Sequence, residues 1–327
     1  MVIVTGGAGF IGSSLIWKLN QKGHDNIIVV DRLGESQKWK NLAKRSVRDI
    51  IHKDRFLDWL QNRPKNHGIE AIFHMGACST TTERNVDYLV ENNFHYSMRL
   101  WEYCAKAKIP FIYASSAATY GSMESGFSDD VKIIPGLRPI NPYGFSKQLF
   151  DEWVLNQKST PPFWAGLKFF NVYGPQEYHK AGQLSVVCSA YSQISDSKKL
   201  RLFKSERSAI AHGQQARDFV YVKDVVDVLY HLFQVQTVGV SGIYNLGSGK
   251  ARTFEDLGRA VFKSMNIKPS IEWIELPEAL KNQYQYFTQA DLTLLRQKTG
   301  YKAKMTMLED GVDDYVQNYL SKADPFL

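Results

Sequence analysis

The glycine-rich segment near the start of the chain constrains the fold more than any other feature. It reads Thr-Gly-Gly-Ala-Gly-Phe-Ile-Gly over residues 5–12, between an apolar run at Val2–Val4 and a helical pattern from Phe10 to Lys22. Glycines at this spacing permit a tight turn and a close approach of the backbone to a pyrophosphate, and the helix N-terminus stabilises the anion. Asp31 ends the next β-rich run about 20 residues on, where a carboxylate can bind the hydroxyls of an adenosine ribose. The segment therefore predicts a dinucleotide-binding site.

Short β-rich runs alternate with helical patterns through the first half of the chain. The predicted strands are Val2–Val4, Ile27–Asp31, Ala71–Met75, Phe111–Ser115 and Leu167–Asn171, and the predicted helices are Phe10–Lys22, Asn85–Ala107 and Tyr143–Leu155. This alternation indicates an α/β fold with a Rossmann-type doubly wound parallel sheet. Such sheets bind ligands at the carboxyl ends of their strands.

The pattern loosens in the second half of the chain. There we predict helices over Leu184–Ile194, from about Val222 to Phe233, over Phe254–Met265, near Leu292 and over Leu308–Leu320, with strands at Phe219–Val222, Ile243–Leu246 and Ile271–Ile274. We therefore expect a Rossmann domain over residues 1–175 and a smaller mixed α/β C-terminal lobe over residues 176–327. Part of that lobe, roughly residues 217–250, is expected to be interleaved with the first domain.

Composition excludes several classes of protein. With 44% hydrophobic and 22% charged residues, the chain is typical of a soluble globular protein, and it contains no apolar run of the length that spans a membrane. Its first residues lack the basic and apolar regions of a secretory signal, and Cys78, Cys104 and Cys188 are too far apart for a disulfide framework or a metal site, so we expect a cytoplasmic protein. The net charge of +7 suits either a basic solvated surface or a site for anionic nucleotides. No nucleic-acid-binding motif is present, and no metal-ligand spacing is visible.

A second set of residues indicates acid–base chemistry. Tyr143 and Lys147 are four residues apart in a predicted helix, which places them on one face, and Ser116 lies at the end of a predicted strand. Free tyrosine has a pKa near 10, so a tyrosine that acts as a base at neutral pH needs a neighbouring positive charge. Ser116 can hydrogen-bond the reacting oxygen. We therefore expect Ser116, Tyr143 and Lys147 to act together.

The choice between the two nicotinamide dinucleotides depends on the residues near Asp31. Asp31 by itself favours NAD, because a carboxylate binds the unsubstituted ribose. Arg32, Lys38 and Lys53 are nearby and can pair with a 2′-phosphate, which favours NADP. The other interpretation of these three residues is a set of surface cations.

Together with these two signatures, three further motifs resemble the extended short-chain dehydrogenase/reductase family. They are Phe-Asn-Val-Tyr-Gly-Pro at 170–175, Arg-Asp-Phe-Val-Tyr-Val-Lys-Asp-Val at 217–225 and Tyr-Asn-Leu-Gly at 244–247. The resemblance covers essentially the whole chain and is strongest to the nucleotide-sugar epimerases and dehydratases. It implies that the second lobe binds a sugar nucleotide.

More particular stretches at 74–83, 91–93, 113–121, 177–180 and 284–292 are similar to the branch of this family that epimerises C6″ of an ADP-linked heptose for lipopolysaccharide core. The resemblance implies one tightly bound NADP per subunit, an ADP-heptose substrate and a homo-oligomer, more specifically a pentamer. It makes Tyr143 one acid/base and Lys180 the other. The expected cofactor-binding residues are Gly6, Gly9, Phe10, Ile11, Gly12, Asp31, Arg32, Lys38, Lys53, Met75, Gly76, Ala77, Cys78, Ser79, Asn92, Lys147, Val172 and Lys180. The expected substrate-binding residues are Asn171, Gly182, Ser189, Phe203, Lys204, Ser205, Arg217 and Tyr284.

Some residues depart from the family pattern. Arg32 and Met75 replace the residues that are usual at these positions, and the segments 181–183 and 206–216 differ from the pattern in sequence and in length, respectively. These departures concern the residues expected to bind the 2′-phosphate and those expected to form the rim of the substrate site.

The expected reaction follows from the chemistry of a secondary alcohol. Its C–H bond is not acidic, so inversion requires oxidation to a ketone, rotation about C5″–C6″ and reduction from the opposite face. Two faces require two acid/base groups, which suits Tyr143 and Lys180. One alternative is another sugar-nucleotide epimerase or dehydratase, although Ala118-Thr119-Tyr120 stands where a 4,6-dehydratase would carry an Asp-Glu pair. The other is a non-catalytic dinucleotide sensor, against which the intact Ser116, Tyr143 and Lys147 argue.

Overall fold

The computed structural model describes residues 1–63, 68–122, 127–180, 182–281 and 284–327. The strands are β1 (Val2–Thr5), β2 (Ile27–Asp31), β3 (Asp49–His52), β4 (Ala71–His74), β5 (Phe111–Ser116), β6 (Trp164–Phe169), β7 (Asn171–Tyr173), β8 (Leu200–Phe203), β9 (Ala216–Tyr221), β10 (Gly242–Leu246), β11 (Ala251–Thr253) and β12 (Ile271–Ile274). The α-helices are α1 (Phe10–Gln21), α2 (Lys53–Gln61), α3 (Val86–Leu89), α4 (Tyr96–Ala107), α5 (Pro142–Leu155), α6 (Val186–Ser197), α7 (Val222–Val235), α8 (Phe254–Ser264), α9 (Glu278–Lys281), α10 (Thr293–Thr299) and α11 (Leu308–Tyr315). Short 3₁₀ helices lie at Gln37–Asn41, Ala117–Tyr120, Ile134–Gly136 and Val238–Val240, and π-helical segments lie at Val90–His95 and Val316–Leu320.

The main sheet has seven parallel strands in the order β10-β6-β5-β4-β1-β2-β3. The chain runs outward from β1 to β3, crosses back to β4 and continues to the other edge, which is the doubly wound arrangement of dinucleotide-binding sheets. The predicted α/β fold is therefore confirmed. β10 comes from the second half of the sequence and pairs with β6, so the seventh strand of the sheet follows the elements β7–β9 and α6–α7.

The register of the sheet brings the ends of its central strands to one edge. Thr5 at the end of β1 is paired with His74 at the end of β4, and His74 is paired with Tyr113 of β5. Gly6 and Met75, the next residues along the chain, therefore leave the sheet side by side, next to Ser115 and Ser116 at the end of β5. This is the edge at which parallel sheets bind ligands.

The second lobe has its own apolar core. Two small sheets support it: β11, β9 and β7 form one, and β12 pairs with β8 to form the other. Buried side chains such as Ile194 of α6, Leu202 of β8, Val261 of α8 and Val312 of α11 pack together. Phe10 of α1 also belongs to this cluster, so the start of the first helix contacts both lobes.

Several predicted elements differ from the structure. The predicted strand Leu167–Asn171 is present as β6, but its bounds are wrong: β6 begins at Trp164 and ends at Phe169, and Asn171 belongs to β7 in another sheet. β3 and α2 were not predicted, and Lys53 is the first residue of α2. The sequence analysis also missed β8 and β11. α6 begins at Val186 and extends to Ser197, and residue 181 of the departing segment 181–183 lies outside the described residues.

Within the described ranges, the structure contains no helix of the length and apolar character that crossing a membrane requires. In the same ranges, no group of three or more His, Cys, Asp or Glu side chains is placed to hold a metal ion.

Candidate active site

A cavity of about 1020 Å³ lies along the carboxyl edge of the main sheet. It is lined by all the predicted cofactor-binding and catalytic residues, from Gly6 and Asp31 in the first βαβ unit to Ser116, Tyr143, Lys147 and Lys180. These residues come from eight separate parts of the chain, and the fold collects them into one site.

The glycine turn is shaped by close backbone contacts. Gly6 has a φ of +63°, and a Cβ atom there would lie 2.6 Å from the Cα atom of Gly76. A Cβ atom on Gly12 would lie 2.2 Å from the carbonyl oxygen of Gly6. Glycine is therefore required at both positions, for the turn and for the packing of α1 against it.

The N-terminus of α1 is open to the cavity. Gly9 is its N-cap residue and, in the described chain, no side chain caps it and no acidic residue stands in its first turn. The first N–H groups of a helix need acceptors and favour an anion. With the glycine turn beside them, these groups fit the diphosphate of a dinucleotide.

Asp31 ends β2 and lines the same cavity. Its carboxylate accepts hydrogen bonds from the Ala8 N–H at 2.8 Å and the Arg32 N–H at 2.7 Å, and the Lys38 ammonium lies 2.7 Å from it. The ion pair compensates the negative charge of Asp31. The Asp31–Lys38 pair therefore repels a nearby anion less than an unpaired Asp31 carboxylate would.

The loop after β4 forms another wall of the cavity. The Cys78 N–H donates to the Asn93 side chain at 2.8 Å, and the Asn93 amide donates to the Ser146 hydroxyl of α5 at 3.0 Å. Lys53 donates to Asn92 at 3.2 Å. The loop Met75–Ser79 is thereby attached to the helix that carries Tyr143.

Local sequence explains the position of Tyr143. Pro142 begins α5, and the Asn141 side chain caps it by accepting from the Gly144 N–H at 2.8 Å. Tyr143 is therefore in the first turn, on the same face as Lys147. Lys147 donates to the carbonyl oxygen of Ala114 at 2.8 Å, which fixes its ammonium group beside the end of β5.

The protonation of these groups is set by burial. Burial raises the pKa of Tyr143, and a hydrogen bond with the Ser116 hydroxyl lowers it in part. Burial lowers the pKa of Lys147 to about 8, and the nearby Asp151 carboxylate opposes this shift. Lys147 thus keeps its charge at neutral pH, where a positive charge near Tyr143 favours the phenolate.

Lys180 approaches the cavity from a loop that follows β7. Its ammonium group lies 4.9 Å from the centre of the Phe10 ring, over the start of α1. Burial lowers the pKa of Lys180, and the buried Glu177 carboxylate opposes this shift. A lowered pKa brings a lysine closer to the range in which it can exchange protons at neutral pH.

A buried ion pair beneath the site was missed by the sequence analysis. Lys168 of β6 and Asp151 of α5 are fully buried, with 2.6 Å between ammonium and carboxylate. Asp151 also accepts from the hydroxyls of Tyr113 at 3.0 Å and Ser115 at 2.6 Å, and Lys168 donates to Thr119 at 2.7 Å. The network joins α5 to the strand that carries Ser116. Its signal in the sequence is a single lysine inside the apolar run of β6.

The predicted substrate residues are more dispersed. Asn171 lines the cavity, whereas none of the other predicted substrate residues within the described ranges does so. Arg217, Tyr284 and Phe203 form a separate group: the Arg217 guanidinium lies 5.3 Å from the Tyr284 ring centre, and the Tyr284 and Phe203 rings are 6.5 Å apart.

The remaining predicted substrate residues lie in loops or on α6. Lys204 pairs with Glu275 at 2.5 Å, and the Ser205 N–H donates to His212 at 3.0 Å. Gly182 has a φ of +76° in the turn after Lys180, and Ser189 is on α6. The assignment of these residues to a substrate stays a prediction.

Comparisons with known proteins all indicate similarity to epimerases. A family model described as the NAD dependent epimerase/dehydratase family matches residues 2–247. Two relatives are named ADP-L-glycero-D-manno-heptose-6-epimerase. The protein of Fusobacterium nucleatum is 49% identical, and that of Nitratidesulfovibrio vulgaris strain DP4 is 51% identical; in both cases the match covers 100% of each chain.

Solved structures have the same fold. The Helicobacter pylori ADP-L-glycero-D-manno-heptose-6-epimerase superposes with a TM-score of 0.79 at 28% identity, over 97% of this chain and 95% of the other. The Thermotoga maritima UDP-glucose 4-epimerase also gives a TM-score of 0.79, at 23% identity, over 97% and 98% of the chains. At that identity the second likeness concerns the fold alone.

Proposed function

The chain belongs to the NAD dependent epimerase/dehydratase family, and from that premise we propose that it is an isomerase that inverts C6″ of an ADP-linked heptose. It would convert ADP-D-glycero-D-manno-heptose to ADP-L-glycero-D-manno-heptose. Relatives that carry this name match the chain over its whole length at about half identity.

One observation carries the proposal. A single cavity contains an uncapped helix N-terminus beside a glycine turn, the group formed by Ser116, Tyr143 and Lys147, and a second amine, the partly buried Lys180. A dinucleotide site alone would need the first feature, and a simple dehydrogenase would need the first two. The second amine supplies what inversion requires in addition.

Each residue of the proposed site has a separate role in the reaction. A nicotinamide dinucleotide, when bound, supplies the hydride acceptor and donor for the transient oxidation of the alcohol. Tyr143 removes the hydroxyl proton on one face, helped by the positive charge of Lys147, while Ser116 holds the reacting oxygen. After the C5″–C6″ bond of the ketone has rotated, Lys180 supplies the proton to the oxygen on the other face.

We further propose NADP as the dinucleotide. The compensation of Asp31 by Lys38 supports this choice, because it lowers the repulsion of a 2′-phosphate, and Arg32 follows directly in the chain. Lys53 lines the same cavity. NAD would need only the Asp31 carboxylate.

The setting proposed for the enzyme is the cytoplasm, in the synthesis of lipopolysaccharide core, as a homo-oligomer that is more specifically a pentamer. Three separated free cysteines suit a reducing compartment. The oligomer rests on the family resemblance.

Dehydration is not favoured by the residues near Ser116. Thr119 donates to the carbonyl oxygen of Ser116 at 2.8 Å and accepts from Lys168, and Tyr120 donates to Asn245 at 2.8 Å. These side chains have structural partners, and neither is the acidic group that eliminates water.

The proposal is tested by NMR of the purified protein with ADP-D-glycero-D-manno-heptose. We expect a mixture of the two C6″ epimers to form without added reductant, and the Tyr143→Phe variant to form it far more slowly. An unchanged substrate, together with turnover of a different nucleotide sugar, would refute the proposed substrate and leave the family assignment standing.

A further inference from the structure

The loop that carries Lys180 has an unusual backbone. Gln176 has a φ of +83°, a left-handed conformation that costs free energy for a residue with a side chain, and it is fully buried. Such a conformation persists only where its surroundings hold it in place. Residues 174–180, here named the Lys180 loop, therefore need external supports.

Asn41 provides one of these supports. Its side-chain amide nitrogen lies 3.0 Å from the carbonyl oxygen of Gln176 and 3.1 Å from Nδ1 of His179, next to Lys180. In return, the Gln176 amide donates to the carbonyl oxygen of Asn41 at 3.0 Å. The same Asn41 nitrogen lies 2.9 Å from the carbonyl oxygen of Ala8 in the glycine turn. Asn41 is almost wholly buried, so these bonds are shielded from water.

The segment that carries Asn41 is itself fixed at the nucleotide site. Asn41 ends the 3₁₀ helix Gln37–Asn41, in which side chains three residues apart point in the same direction. Lys38 is three residues before Asn41 and pairs with Asp31. Asn41 is therefore a rigid connection between the cofactor-binding segment and the Lys180 loop.

A second support lies on the opposite side of the loop. The Tyr178 hydroxyl donates to the carbonyl oxygen of Pro325 at 2.9 Å, and the Tyr178 and Phe326 rings meet edge to face at 5.3 Å. Lys44 holds the same segment through Asp324 at 2.7 Å and the carbonyl oxygen of Phe326 at 2.9 Å. Both supports begin in the stretch after β2.

We propose that Asn41 is a positioning residue for Lys180, acting through its reciprocal hydrogen bonds with Gln176 and its contact with His179. It contacts neither of the two proposed acid/base side chains, and of the two it positions only Lys180. Tyr143 is held by α5 and the network of Asp151, which Asn41 does not touch. The inference rests on the proposed function, because it gives Lys180 a chemical role.

The test uses a reaction that needs only one acid/base group. Two molecules of an ADP-sugar with an aldehyde at C6″ can disproportionate with one molecule of water. The hydrate of one aldehyde would be oxidised to the acid by hydride transfer to the bound nicotinamide dinucleotide, and the reduced dinucleotide would then reduce the second aldehyde to the alcohol. In the Tyr143→Phe variant this reaction depends on Lys180, and in the Lys180→Met variant it depends on Tyr143. Asn41→Ala is then added to each variant.

We expect an asymmetric result. Asn41→Ala should lower kcat for disproportionation by about 10²-fold in the Tyr143→Phe background, since misplacing a catalytic group by about 1 Å has that effect. In the Lys180→Met background kcat should change by no more than about threefold, because Asn41 does not position Tyr143, the group on which that variant depends. Nucleotide retention and KM should change little in either background. In the otherwise unaltered chain, Asn41→Ala should lower epimerisation.

Asn20→Ala is the matched control. The Asn20 amide also reaches three oxygen atoms, those of His24, Asp25 and Ser46, at 2.9–3.2 Å. It supports the same half of the sheet without contact with the Lys180 loop. It should leave both single-base reactions unchanged.

An equal loss of kcat for disproportionation in the two backgrounds would show that Asn41 has a general structural role. No loss of kcat in the Tyr143→Phe background would show that Asn41 does not position Lys180. Either result overturns the proposal. If Asn41→Ala does not fold, Asn41→Ser, which keeps one donor, and Phe326→Ala, which weakens the second support, undergo the same comparison with the same expected asymmetry. Failure of the proposed function is separate: it would appear as unchanged ADP-D-glycero-D-manno-heptose with the unaltered protein. Near-wild-type epimerisation by Lys180→Met would instead remove the role of Lys180, and the proposal for Asn41 with it, while the proposed function would stand.

Discussion

His74 gives the chain a stability that depends on pH in a calculable way. It is the last residue of β4 and is buried, with Nδ1 2.6 Å from the Thr5 hydroxyl and Nε2 2.9 Å from the Ser97 hydroxyl. Burial, and to a smaller extent the charge of Lys147, lowers the pKa of His74 from 6.5 to about 3. The folded chain therefore keeps this imidazole neutral at pH values where the unfolded chain protonates it.

The sign and the size of the effect follow from linkage. The contribution of neutral His74 to stability is complete above pH 6.5 and is lost as the pH falls from 6.5 towards about 3. Between pH 7 and pH 4.5 this loss amounts to roughly 2–3 kcal/mol, at 1.36 kcal/mol for each pH unit below the pKa of the unfolded state.

The assay is urea unfolding at pH 7 and pH 4.5, with the free energy of unfolding extrapolated to water. Other groups titrate in the same interval, so the quantity to compare is the difference between the wild type and His74→Gln, which cannot take up a proton. The variant should be less stable at pH 7, because its hydrogen bonds are altered, and should lose roughly 2–3 kcal/mol less on acidification.

His52→Gln is the control, because the His52 side chain is 44% exposed at the end of β3. It should lose as much stability on acidification as the wild type. A His74→Gln variant with the acid sensitivity of the wild type would refute the reasoning. His74 would then take up its proton in the folded state, which the two hydroxyl partners would have to accommodate.

The remaining predictions concern the reaction. Tyr143→Phe and Lys180→Met should each lower epimerisation by about 10²–10⁴-fold while retaining disproportionation of the C6″ aldehyde, which the double variant should lose; a near-wild-type Lys180→Met would leave a one-base mechanism. Lys147→Met should instead weaken nucleotide retention and both reactions together, as measured by nucleotide release and by the two assays. Denaturation of the purified protein should release NADP(H) in preference to NAD(H), and Lys38→Met should reduce that preference; release of NAD alone would show that Asp31 dominates the ribose site. Epimerisation in deuterated water should leave no deuterium at C6″ in the product by NMR, because the hydrogen is carried as a hydride; substantial incorporation would indicate proton abstraction from carbon.

The sequence by itself determined the fold and the chemistry of the first half of the site. The glycine turn at 5–12 and Asp31 are local signals, because each depends on backbone geometry within a single βαβ unit. Tyr143 and Lys147 are also local, since their relation is set by one turn of helix. For the same reason the strands of the buried sheet were found, whereas β3 was missed: it is an edge strand in which Asp49, Ile50 and His52 are exposed, so it lacks a continuous apolar run.

The tertiary structure alone decided how the second half of the site is held. Asn41 contacts Gln176, which is 135 residues away in the sequence, and Tyr178 contacts Pro325, which is 147 residues away. Lys168 of β6 pairs with Asp151 of α5. Such contacts leave no periodicity and no motif, because partners distant in sequence become neighbours only when the main sheet and the second lobe have packed. Lys180 could be named from the sequence through a family resemblance, but its position over the Phe10 ring and the supports of its loop follow only from that packing.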